Sequence, residues 1–274
     1  EDQVLKATLT IAKATLSGFS LASQSFVYNG APKSLKIVGD LPMGVSVSYT
    51  NNAFTEAGVY EVEATISGAN YEDQVLKATL TIAKATLSGF SLASQSFVYN
   101  GAPKSLKIVG DLPMGVSVSY TNNAFTEAGV YEVEATISGA NYEDQVLKAT
   151  LTIAKATLSG LTFNDGSFVY NGAPKSLKIV GNLPTGVSVS YTHNSFTEAG
   201  VYEVTATIFG DNYEDLVLKA NLTITKATLS GLTFNDESFV YSGTPKSLEI
   251  VGNLPTGVSV SYTNNAFTEA GVYE

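Results

Sequence analysis

The sequence repeats. EDQVLKATLTIAK begins at Glu1, recurs at Glu72 and Glu143, and returns as EDLVLKANLTITK at Glu214, a period of 71 residues with no insertion or deletion. Residues 1–71 and 72–142 are identical, and 143–213 differs from the first copy at 13 positions. The tyrosines keep the same register. Tyr28, Tyr49, Tyr60 and Tyr71 recur in each copy and only the fourth is missing from the last, which accounts for all 15 in the chain. Four full periods need 284 residues and the chain has 274, so it stops at Glu274 within the segment that reads GVYEVEATISG in earlier copies. The expectation is a window on a longer array, with any anchor or tip domain outside it.

Within one period the apolar residues alternate. Val45, Val47 and Tyr49 are separated by Ser46 and Ser48; Tyr60, Val62, Ala64 and Ile66 by Glu61, Glu63 and Thr65; Leu76, Ala78, Leu80 and Ile82 by Lys77, Thr79 and Thr81. Leu35 and Ile37 flank Lys36 in the same way. Period-2 alternation marks strands with one buried face. The runs are divided by YNGAPK, VGDLPMG, TNNAF, TEAG and SGANYED, whose Gly, Asn, Asp and Pro favour turns. No ten-residue stretch carries a 3.6-residue period. Six or seven short antiparallel strands at this spacing predict an all-β fold of tandem small immunoglobulin-like antiparallel β-sandwiches.

In TEAGVYEV, Tyr60 lies two residues before Val62 on a strand entered through Glu56 and Gly58. This resembles the tyrosine corner of immunoglobulin-type sandwiches, with Val62 where that fold places a cysteine. The motif recurs at Tyr131, Tyr202 and Tyr273. The chain has no Cys and no Trp, so each module relies on an aliphatic and aromatic core without a disulfide.

The last strand of a period ends in KATLSG, which sets the expected modules at 14–84, 85–155 and 156–226, with a truncated module at 227–274. Residues 1–13 are then the last strand of a preceding module. An alternative frame opens each module at EDQVLKATLTIAK. No Gly/Ser or Pro linker separates the modules, and connections this short favour a semi-rigid, elongated rod. At about 3.3 Å per residue and eight to ten residues along a sandwich, each module adds roughly 30–35 Å.

FVYNGAPKSL, LPTGVSVSYT, AGVYEVTATI and the NY pair, as they stand between residues 168 and 213, resemble bacterial Ig-like surface modules of the MBG type. The resemblance covers every copy. It implies large secreted or cell-surface proteins, often adhesins, whose repeats act as spacers, and it brings no catalytic residues.

Composition excludes other classes. All 15 basic residues are Lys against 25 acidic ones, a net charge of −10 that repels a nucleic-acid backbone and offers no bidentate Arg fork. No apolar run approaches the roughly 20 residues that cross a bilayer. Zero Cys removes thiolate catalysis and Cys-based zinc sites, and Glu1 opens nothing like a signal peptide.

Few residues invite chemistry. His193, in YTHNSF, is the one imidazole and reads as an exposed turn residue. No G-x-S-x-G elbow occurs, and any triad would have to share that His. Asp165, Asp236, Glu237, Asp211, Glu214 and Asp215 lie in turns and offer oxygens for Ca²⁺ at module junctions, but without an EF-hand ladder; solvated carboxylates are the plainer reading. Leu183, Pro184, Thr185 and Gly186 superficially resemble a sortase signal and read as a turn into a strand. Lys36 and Asn70 are the residue types of an intramolecular isopeptide bond, yet alternation points Lys36 outward.

The expected function is a non-catalytic, extracellular stalk of a bacterial surface or secreted protein, without a cofactor. Its partners are neighbouring copies of the same module in cis, with neither nucleic acid nor direct membrane insertion; any ligand is unidentified. Two alternatives stand beside it. Strand edges open to pairing between chains make the array a filament or sheath subunit, and identical modules in a row make it a multivalent weak binder of glycans or proteins.

Overall fold

The computed structural model describes residues 2–274, and no helix forms among them. In the first module β1 spans Ser20–Leu21, β2 Gln24–Val27, β3 Ile37–Val38, β4 Val45–Thr50, β5 Gly58–Gly68 and β6 Tyr71–Ala83. The second module repeats them as β7 (Ser91–Leu92), β8 (Gln95–Val98), β9 (Ile108–Val109), β10 (Val116–Thr121), β11 (Gly129–Gly139) and β12 (Tyr142–Ala154). The third contains β13 (Gly166–Val169), β14 (Val187–Thr192), β15 (Gly200–Gly210) and β16 (Tyr213–Thr225), with a single bridge between Thr162 and Val180 in place of the first pair. Only β17 (Thr233–Phe234) and β18 (Ile250–Val251) follow.

Each of the first three modules is built on a four-stranded sheet, ordered β2-β6-β5-β4 in the first, and the small β1–β3 pair lies outside that sheet. Alternation in the sequence becomes alternation in burial. Val62, Ala64 and Ile66 of β5 are buried with Leu80 and Ile82 of β6, whereas Glu61 and Lys77 face solvent. Leu35, Val62, Ala78, Leu80 and Ile82 form one core, closed by Leu21, Phe26, Tyr28, Phe54 and Tyr60. Phe163 stands where Leu21 does and is buried in the third core.

One pairing departs from the expected antiparallel sense. β2 runs parallel to β6, with Gln24 opposite Leu80 and Val27 opposite Ala83. Alternation fixes which face a residue takes, not which strand lies beside it or in what sense. β6 is also longer than the eight to ten residues expected along a module, at 13.

The segment from Lys33 to Ile37 is held to Tyr49–Phe54 by a ladder with three kinds of rung. Lys33 and Phe54 exchange backbone hydrogen bonds of 2.8 and 3.1 Å. Two residues on, Leu35 donates to Asn52 Oδ1 at 2.6 Å while Asn52 Nδ2 donates to the Leu35 carbonyl at 2.8 Å. After another two, Ile37 N–H donates to the Tyr49 hydroxyl at 2.8 Å. Side chains thus supply the bonds that a backbone would supply in a regular sheet, and they satisfy a half-buried peptide that would otherwise be orphaned.

Residues 2–12 repeat the sequence of β6 from Asp73 to Ala83 but form no strand, and Val4, Leu5, Leu9 and Ile11 are exposed. β6 pairs with β5 and β2, and no such neighbours flank residues 2–13. In 227–274 the local contacts persist without a four-stranded sheet: Asn265 holds Leu248 and Tyr262 holds Ile250, while Val240 and Val272 are exposed.

The chain divides into two compact units, residues 1–157 with 211–214, and residues 158–210 with 215–274.

Candidate functional site

Tyr60 folds back over its own strand entry. Its hydroxyl donates to the Glu56 carbonyl at 3.0 Å, and its ring stacks on Phe54 with centroids 3.8 Å apart and planes 9° from parallel. Tyr131 donates to Glu127 at 2.9 Å, Tyr202 to Glu198 at 3.0 Å and Tyr273 to Glu269 at 3.0 Å, each stacked on the matching Phe. The glycine two residues before each tyrosine makes room: a Cβ on Gly58 would lie 2.7 Å from the Tyr60 Oη. Replacing Tyr202 by Phe removes one hydroxyl bond and keeps the ring. The third module is expected to lose about 0.5–1.5 kcal/mol, read by hydrogen exchange of its amides in rising urea.

Beside this corner loop lies the junction of the first two modules, both in the first compact unit. Asn141 occupies the two-residue turn between β11 and β12, closed by the Gly139–Tyr142 pair. Its Oδ1 accepts the Ala57 N–H at 2.7 Å, and its Nδ2 donates to Glu56 Oε2. The Tyr142 ring meets Tyr28 edge to face at 5.4 Å and 75°. The connection is held by the same turn, since Ala85 donates to the Asn141 carbonyl and Glu143 donates to the Ala85 carbonyl, both at 2.9 Å. The 211–214 segment of that unit repeats the pattern. Asn212 Oδ1 accepts the Ala128 N–H at 2.7 Å, Nδ2 donates to Glu127, and Tyr213 meets Tyr99 at 5.5 Å and 75°.

Of the other candidate residues, Asp211 and Glu214 lie in this 211–214 turn segment, where the Glu214 N–H donates to the Ala156 carbonyl at 2.9 Å, and His193, Asp165, Asp236 and Glu237 lie in other turns. His193 is exposed in left-handed backbone with φ 56°, the conformation that Asn51, Asn122 and Asn264 hold in the other copies. Asp165 turns its Oδ1 onto the Asn221 N–H at 2.7 Å, as Ser23 Oγ does with Thr79 at 2.9 Å. Asp236, Glu237, Asp211, Glu214 and Asp215 are exposed, and among the described residues no three His, Asp or Glu side chains converge on a point that would hold a metal. Pro184 accepts the Val187 N–H at 3.1 Å, a turn into β14. Lys36 is exposed, and the Asn70 carbonyl pairs with Ala14 N–H at 3.0 Å.

The resolved electrostatics are superficial. Lys77 bonds Glu61 at 2.9 Å and approaches Glu63 at 3.5 Å across β5 and β6. The Glu61 hydrogen bond first, then the Glu61 charge, and Glu63 after it hold the Lys77 ammonium above its ordinary range. Lys148 is raised by Glu132 and Glu134 in the same way. In the third copy Thr205 replaces the second glutamate, and Lys219 keeps Glu203 at 2.7 Å. Solvent-exposed pairs of this kind contribute little to stability.

A family model described as MBG domain matches residues 17–86, 89–157 and 159–228. No curated protein matches the sequence. Among solved structures, a three-Ig-domain titin fragment carrying an E-to-A mutation is similar at 11% identity, over 77% of this chain and 97% of that one, with a TM-score of 0.26. The insect immune protein hemolin is similar at 10% identity over 91% of both chains, TM-score 0.23. SGBP-B of the Bacteroides ovatus mixed-linkage glucan utilization locus, solved with a mixed-linkage heptasaccharide, is similar at 10% identity over 94% of this chain and 76% of that one, TM-score 0.20. Likeness at these TM-scores carries nothing about function.

Proposed function

The chain belongs to the MBG domain family, and we propose on that premise that it is a non-catalytic spacer: an array outside the cell, on a bacterial surface or secreted, whose reach grows with the number of modules. The observation that carries this reading is the repeated unit itself. Each of the first three modules has its own buried core, and within the first compact unit the next module's turn is docked on the preceding module's corner loop. A chain enters a module at Ala14, which bridges in parallel to Tyr71 at the start of β6, and leaves past Ala83 at the end of that strand. With 13 residues in β6, entry and exit are about 40 Å apart at the usual strand rise. The net charge of −10 opposes clumping of many such chains on one surface. Neither a cofactor nor Ca²⁺ has a part in this reading.

Deleting residues 72–142 tests it, because joining Tyr71 to Glu143 leaves every junction sequence intact. In small-angle scattering the maximum dimension is expected to fall by about 40 Å, to be independent of protein concentration, and to be unchanged by EDTA. Particles that lengthen with concentration would replace the spacer with a filament subunit, and saturable glycan binding that strengthens with module number would replace it with a multivalent binder.

A further inference from the structure

The first two copies of SGANYED are identical in sequence and differ in surroundings. Asn70 is exposed, whereas Asn141 and Asn212 are half-buried. The receiving side shows the same contrast. Ala57 and Ala128, which face an Asn, are half-buried; Ala199, their counterpart in the third module, is exposed. The turn is therefore a knob that is complete before docking, and the loop after each Glu56-type residue is its socket.

We propose that this Asn–Tyr turn is the fastener between modules, and that it holds the second module at one orientation on the first by fitting a neighbouring copy of the same module. The proposal rests on the spacer reading and deepens it by naming the surface that a spacer needs. Three anchors act at different points. The Asn141 amide offers an acceptor to Ala57 N–H and a donor to the Glu56 carboxylate, so a flipped amide would place donor against donor and acceptor against acceptor. The Tyr142 edge rests on Tyr28. The backbone on both sides of the same turn holds Ala85, the second residue after β6. An amide, a ring and a connection pinned at separate places leave no axis about which the modules turn freely. The knob recurs in the first three copies and the socket in all four, so a copy inserted between the first two modules receives the same joint.

The chain has no cysteine, so Lys36→Cys and Lys107→Cys, at exposed equivalent positions of the first two modules, accept one spin label each in the full 274-residue protein. Electron–electron double resonance is expected to give one narrow distance distribution. Asn141→Asp keeps the acceptor for Ala57 but turns a carboxylate on Glu56, and Glu56→Ala removes the partner while leaving the backbone carbonyl for Tyr60. Each is expected to widen the distribution at least twofold, with the melting curve showing the modules still folded. Asn70→Asp makes the same change in an undocked turn and is expected to leave the width unchanged. A width unaffected by Asn141→Asp, or widened equally by Asn70→Asp, would overturn the proposal. So would a broad distribution in the parent; that result makes the spacer flexible without touching the deletion test of its length.

Discussion

Replacing Asn194 by Ala is expected to destabilise the third module by about 2–3 kcal/mol, a large fraction of what a domain of this size has. Leu177 is buried, and its N–H and C=O are both bonded to the Asn194 amide, at 2.7 Å each. Alanine removes both partners at once and leaves a donor and an acceptor beside the core. Aspartate restores the acceptor for the N–H but sets a charged oxygen against the carbonyl, so it recovers little. Hydrogen exchange followed by mass spectrometry resolves the effect by segment. Amides of 158–226 should exchange through a lowered barrier while those of the first module hold their protection. A loss below about 0.5 kcal/mol would mean that water bonds the Leu177 peptide as well as the amide does.

Gly200→Ala is expected to destabilise the same module by about 1–3 kcal/mol, against the usual sense of a glycine-to-alanine change within a strand. The new Cβ would lie 2.8 Å from the Tyr202 Oη and 2.9 Å from its Cζ. The ring cannot yield cheaply, since it is stacked on Phe196 at 3.8 Å and its hydroxyl is bonded to Glu198. A double-mutant cycle separates the causes. With Tyr202 already cut back to Val, Gly200→Ala should cost nothing or stabilise slightly; an undiminished penalty in that background would mean that the backbone, not the ring, needs the glycine. Urea unfolding monitored by exchange in 200–210 reads both arms.

Much of the fold is legible in the letters because it depends on faces. Val62, Ala64 and Ile66 alternate with polar residues and are buried on one side of β5, and the 71-residue period announces the modules before any strand is assigned. What alternation does not carry is partnership. β2 lies outside the runs that alternation marks, and nothing in them says that it lies parallel to β6; DQVLKATLTIA is a strand at 73–83 and none at 2–12, because a strand is a property of a pair. Asn52 reads as a turn former through its chemistry, and its grip on Leu35 is a tertiary fact. A signal for it was present: His193 replaces the first Asn of the TNNAF turn in the third copy, while the second Asn stands in all four. The junction has no such signal. Asn70 and Asn141 share every neighbour in sequence from 1–71 to 72–142, so only the structure distinguishes the docked turn from the open one.

The parallel alignment of β2 with β6 has a consequence for how a module bears load. Tension along the chain enters at Ala14, paired with the start of β6 through the Asn70 carbonyl and the Glu72 N–H, and leaves past Ala83 beside β2. Both sets of hydrogen bonds lie across the direction of pull. They are loaded in shear, so the four residue pairs from Gln24–Leu80 to Val27–Ala83 share the force and give way together. An antiparallel terminal pair pulled from one end would instead unzip bond by bond.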